Sequence, residues 1–174
     1  RVDSTAAVAA GLPMSQMERL INVMLAKLGD ARLGFEIGWR LPPTAFGAVG
    51  QAMLASATLG DALRAGQRYW PLIGGGLSLQ VSIEGDTCVL DFVPTFPVPE
   101  VFRRLMLEAA LAGVARAIGI LAPTVMPLGE GWFDFPEPSY APALRERVPA
   151  LRWGMPATQV RAPAAALSTP LPMA

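Results

Sequence analysis

LSLQVSIEGDTCVLDFV, residues 77–93, is the stretch that decides the fold. Leu77, Leu79, Val81 and Ile83 alternate with Ser78, Gln80, Ser82 and Glu84, the period-two pattern of a strand with one buried face. Gly85-Asp86 supplies a two-residue hairpin turn. The register that follows sets Ile83 against Cys88, Val81 against Leu90 and Leu79 against Phe92, all on one face. Cys88 then falls in an apolar layer, as a small core residue and not a reactive thiol. Gln80 and Asp91 fall on the other face.

Upstream of the hairpin the chain reads as helix. Ser15-Gln16-Met17-Glu18 forms a capping box. The helix it opens carries Met17, Leu20, Ile21, Met24, Leu25 and Leu28 on one face, and Gly29-Asp30 stops it. A short helix over 31–40 ends at Pro42-Pro43, because the residue before a proline is pushed out of the helical region. A third helix spans 48–55. Thr58 caps a fourth, with Asp61 at its third position, and this helix ends near Leu72. Gly74-Gly75-Gly76 is a hinge or turn. It lacks the Lys-Ser/Thr that opens the helix of a phosphate-binding loop.

Downstream, Pro97 and Pro99 lead into the longest helix, from Pro99 to Ile120. Phe102, Leu105, Met106, Ala109, Gly113, Ala117 and Ile120 trace a stripe along it. Ala109, Gly113 and Ala117 are small and four apart, so another backbone can come close, either within the core or across a dimer seam. Strand character returns at 124–128 and 132–135. Ser139 caps a short helix over 140–147, and further strands fall at 151–153 and 159–162. A turn of helix and an extended piece close the chain. Helices grouped ahead of strands predict an α+β fold, with helices packed on a small, mostly antiparallel sheet, in preference to a cupin-like barrel.

Composition narrows the function. The 174 residues suit one domain, and 52% hydrophobic residues support a sizeable core. Charged residues are 16%, which points either to a surface partly covered by a partner or to an alanine-rich source. The formal net charge is +0, with one Lys and thirteen scattered Arg, so this segment lacks the basic stripe that grips DNA. One Cys excludes an internal disulfide. With no His, the commonest general base and metal ligand are missing, so hydrolase chemistry, a metal site and a cofactor are not expected. Asp134 and Glu137, with Tyr140 nearby, make only a thin case for an enzyme. The apolar stretch Val101–Leu121 is interrupted by Arg103, Arg104, Glu108 and Arg116 and is no membrane span. The first 13 residues read as a loose leader and not a signal peptide, which makes the cytoplasm the default compartment. The first residue is Arg and not Met, so a piece of a longer chain is expected.

One pattern carries a resemblance. Residues 34–72 read GxxxGxRLPPTAFGxxGxAMLxSxTLGxALRxxxRYWPL. A hairpin follows, then PEPxYxxxLR, then a closing V-R-AP-AAAL-STPLP. This order and spacing, from about Met14 to Pro172, resembles the N-terminal effector-sensing region of AraC-type transcriptional regulators, in the group called arabinose-binding-like. The resemblance implies a cytoplasmic one-component regulator. Residues 14–172 would bind a small effector and pass the result to a C-terminal helix-turn-helix domain that reads promoter DNA. No late segment here shows a basic recognition helix, so that domain is expected to lie outside this sequence. Pairing with a second copy, as a homodimer, is a further expectation. A ligand-free dimerisation or interaction module is the competing function.

A ligand pocket needs concave apolar walls and a few polar groups. The candidates are Phe46 after the Pro-Pro corner, Arg68, Tyr69 and Trp70 ahead of the glycine run, Arg103 at the start of the long helix, and Trp132. For each aromatic the alternative is ordinary core filling, and for each Arg a solvated surface group. Gly34, Gly38, Gly47, Gly50 and Gly60 are read as backbone and helix-contact devices. Asn22 is the only Asn and Gln is sparse, so an apolar or amphipathic effector is expected over a free sugar.

Overall fold

The computed structural model describes residues 14–28, 32–73, 76–125 and 128–172. Helix α1 (Met14–Leu28) comes first. It begins at Met14, so Ser15 lies inside the first turn and not at the N-cap. Of the face expected on α1, the side chains of Met17, Ile21, Leu25 and Leu28 lie outside the described residues, as do the leader and the Gly29-Asp30 stop.

Helix α2 (Leu33–Arg40) ends where the prolines require, with Leu41 extended at φ −81 and ψ 110. A 3-10 turn, Pro43–Phe46, passes into α3 (Gly47–Leu54). Gly50 is there because a Cβ would stand 1.7 Å from the Pro43 carbonyl oxygen. Helix α4 (Leu59–Ile73) is capped as the sequence predicts. The Asp61 backbone N–H donates to Thr58 Oγ1 at 3.1 Å, and the Thr58 hydroxyl donates to Asp61 Oδ2 at 2.7 Å. The Thr58 hydroxyl, ahead of Arg64, holds the Asp61 carboxyl below its usual pKa. Thr58→Ala is expected to cost about 1 kcal/mol, the ordinary value of a lost N-cap, read from the urea midpoint. An unchanged midpoint would show that the cap contributes nothing.

Strands β1 (Leu77–Glu84) and β2 (Thr87–Pro94) form the hairpin in the expected register, with Leu79 opposite Phe92, Val81 opposite Leu90 and Ile83 opposite Cys88. On its apolar face Leu79, Phe92, Leu90 and Cys88 are buried, while Ile83 near the tip is 52% exposed. Helix α5 (Glu100–Leu121) crosses the core side of the sheet, burying Leu107 and Leu111 completely. Strand β3 (Glu130–Trp132), helix α6 (Ala141–Arg145), strand β4 (Leu151–Arg152) and strand β5 (Gln159–Pro163) complete the α+β fold. The sheet order is β1-β2-β5-β3-β4, antiparallel except for β3 with β4, and the sheet is open, not a barrel.

Three local expectations are corrected. Residues 124 and 125, expected in a strand, form turns, in which Val125 N–H bonds the Ala122 carbonyl and Leu128 N–H the Val125 carbonyl; residues 126 and 127 lie outside the described set. The strand expected at 132–135 lies earlier, at 130–132, because the Asp134 N–H turns to the Thr158 hydroxyl at 3.3 Å. The N-cap of α6 is Tyr140, not Ser139, and the Ala141 N–H bonds back to the Pro138 carbonyl.

Candidate functional site

The contact between α2 and α5 sets the geometry. A Cβ on Gly34 would stand 2.6 Å from the Leu105 carbonyl oxygen, and one on Gly38 would stand 2.0 Å from that of Ala109. Two glycines one turn apart therefore seat α2 directly on the backbone of α5. The small residues Ala109 and Gly113 receive it, the Gly113 position facing Gly38 at 3.6 Å. Because these positions carry so little side chain, they leave room beside the helix contact.

That room is a cavity of about 230 Å³. Leu41, Pro43 and Phe46 from the Pro-Pro corner wall it, with Met53 of α3, and Leu59, Leu63, Gly66 and Trp70 of α4. Leu77 and Leu79 of β1 close one side, and the α5 face from Leu105 to Leu121 forms the floor. Every lining residue is apolar. The one side-chain donor among them, Trp70 Nε1, is already given to the Leu77 carbonyl at 2.9 Å. That bond ties the end of α4 to the start of β1.

Of the predicted pocket residues, Phe46 and Trp70 meet in this cavity. The other four stand elsewhere. Arg68 is exposed and stacks on the Tyr69 ring at 5.6 Å, and Tyr69 is 40% exposed. Arg103 pairs with Asp134 and with Glu100, pinning the start of α5 to the segment after β3. Trp132 lies on the sheet face away from α5. There the Arg161 guanidinium covers its ring at 4.5 Å, and its Nε1 donates to Glu130 at 2.9 Å. Met53, Leu63, Val114 and the small α5 stripe line the cavity without having been singled out as pocket residues. The stripe was legible as close packing. That the same missing side chains also leave a void depends on where α3 and α4 fall.

The acids considered for catalysis are held in ion pairs. Asp134 accepts from Arg103 and from the Thr158 hydroxyl at 2.8 Å. Glu137 forms a two-pronged pair with Arg145, which lowers its pKa. The strongly shifted carboxylate is Glu108, 2% exposed on α5 beneath α2 and not among the cavity residues. Burial raises its pKa to about 7, against the lowering effects of the Tyr140 hydroxyl, which donates at 2.7 Å, and of Arg104. The Tyr140 hydroxyl is itself pushed well up, by burial first and by Glu108 next. Arg104 lies over the Phe135 ring at 4.7 Å. This is a packed internal network joining α5 to α6, not an open acid-base site. Among the described residues no cluster of potential ligands is placed to hold a metal ion, and no helix is long and apolar enough to cross a membrane.

The cavity thus lies between helices α2 to α5 and strand β1, lined by apolar residues throughout. The family model for the N-terminal arabinose-binding domain of AraC transcription regulators matches residues 3–171, and the chain belongs to that family. It is 32% identical over 92 residues to an ornithine utilization regulator of Pseudomonas aeruginosa, a match covering 52% of this chain and 27% of that relative. The crystal structure of the transcriptional regulator CdpR from Pseudomonas aeruginosa has a TM-score of 0.67 and 15% identity, over 98% of this chain and 56% of the other, and shows a shared fold. The matches thus span about a quarter of the length of one regulator and just over half of the other. Both are regulators by name.

Proposed function

We propose that this chain is the effector-sensing region of a cytoplasmic AraC-type transcription factor, without enzymatic activity. It binds a small apolar or amphipathic effector between α3, α4 and α5 and controls a C-terminal helix-turn-helix domain that reads promoter DNA. The observation that carries this reading is the preformed apolar cavity. A module built only for dimerisation has no use for such a void, since unfilled space forfeits packing energy. Phe46 and Trp70, with Met53 and Leu63, are the proposed effector contacts.

The route outward from the site starts at α4. Leu59, a cavity residue, donates its backbone N–H to the Thr169 carbonyl at 2.9 Å, and the Leu171 N–H returns to the Ala57 carbonyl at 3.0 Å. Residues 169–171 are thereby held on the start of a cavity wall, so a ligand that shifts α4 shifts them too. The family description mentions arabinose and the relative's name mentions ornithine. Walls without a free side-chain donor, acceptor or charge suit neither a polyol nor an ammonium group.

A thermal-shift screen of metabolites on this protein tests the reading, because a ligand that binds only the folded state raises the melting point. At a hundredfold excess over Kd the gain is about 2.7 kcal/mol, or roughly 5–10 °C for a domain of this size. Saturable shifts that vanish when Leu63→Trp fills the cavity are expected. A broad screen without a hit, from a protein that self-associates in the micromolar range, would instead establish the interaction module.

A further inference from the structure

The lining of the cavity extends along much of one helix and is apolar throughout. Its floor on α5 runs from Leu105 to Leu121, about 24 Å of helix axis. An extended alkyl chain of about nine carbons follows roughly half of that floor, further than a compact ring system reaches. Its volume of about 230 Å³ compares with the roughly 150 Å³ of an apolar protein cavity that holds benzene, which leaves room for about nine carbons. No side chain on the walls is free to compensate a charge or a hydroxyl carried inside, since the Trp70 N–H is committed to Leu77. Leu41 is both a lining residue and 38% exposed, so it marks an opening to solvent.

We propose that the cavity takes a single aliphatic chain, an acyl or alkyl group of about nine carbons, with the polar end of the molecule left in water at the opening beside Leu41. This rests on the effector-sensing reading above and names the ligand class of that site. Met53 and Met106 suit such an occupant, because unbranched thioether side chains repack around chains of different length. The same chain chemistry arises from a fatty acid and from a neutral alcohol or ester.

The test is calorimetric titration of the protein with n-alkanols from hexanol to dodecanol, the matching n-alkanoates, and indole as a compact ring. Affinity is expected to rise about fourfold per added methylene, the value of burying one CH₂, and to level off near nine carbons. The series that binds more tightly, alkanols or alkanoates, identifies the end group. Ala117→Phe, which blocks one end of the floor, is expected to move the plateau to shorter chains; Ala110→Phe gives a second reading should Ala117→Phe fail to fold. Affinity independent of chain length, or a plateau unmoved by both variants, overturns the proposal. Indole binding as tightly as nonanol, and lost in the Phe variants, overturns the chain while leaving effector sensing in place. No binding by any probe overturns the chain, and with an empty metabolite screen it overturns the sensing reading as well.

Discussion

Gly38→Ala is expected to destabilise the protein by about 2–3 kcal/mol and to lower its melting point by roughly 4–12 °C. In the middle of a helix this substitution normally stabilises, by up to about 1 kcal/mol, because glycine gives up more backbone freedom on folding. Here the sign reverses. The added methyl would stand 2.0 Å from the Ala109 carbonyl oxygen and 2.7 Å from its carbon. Both are backbone atoms of the central helix, so no side chain can swing aside, and α2 must lift from α5. Gly66→Ala is the matched control. Its methyl would meet only the flexible end of Met53, at 3.5 Å, so the helix-propensity gain is expected to survive. Chemical unfolding of the two variants decides the matter. Equal midpoints for Gly38→Ala and wild type would show that the helix contact yields at no cost.

The second large effect depends on pH. Glu108 has a pKa of about 7 in the folded protein against 4.5 for the free side chain, chiefly because it is buried. Below pH 4.5 both states hold the proton and the group costs nothing. Between 4.5 and 7 the unfolded chain releases its proton while the folded one keeps it, so folding stability falls as pH rises. Above 7 the loss is complete, on the order of 3 kcal/mol. Glu108→Gln keeps an acceptor for the Tyr140 hydroxyl and removes the titration. Its stability relative to wild type is expected to improve by about that amount between pH 4.5 and 7.5. Paired acids such as Asp61 and Glu137, whose pKa values are lowered, act oppositely at acid pH and are common to both proteins. Urea titrations at half-unit pH steps measure the difference; a constant offset between the two proteins would place the titration elsewhere.

Where sequence reading succeeded, the cause is local. The β1–β2 register follows from a period-two pattern and a two-residue turn, both contained in seventeen residues. The Thr58 cap depends on atoms three residues apart. The Pro-Pro corner acts through the backbone of the residue just before it. The strand expected at 132–135 slipped because the decisive bond, from the Asp134 N–H to Thr158, spans 24 residues of sequence.

The candidate site divides along the same line. Chain pattern alone determined that this protein is α+β, that it carries a hairpin of known register, and that Gly34, Gly38 and Gly50 are close-contact positions. Tertiary structure alone decided which aromatic residues face the cavity. Phe46 and Trp70 turn into the cavity while Tyr69, adjacent to Trp70, turns to solvent, because one residue of a helix is a rotation of about 100° and only packing fixes the phase. Arg103 meets Asp134 across 31 residues, and Trp132 meets Arg161 across a strand pairing, so both are engaged within the fold and away from the cavity. The void itself is a difference between the volume the helices enclose and the volume their side chains fill, and that quantity exists only once the helices are in place.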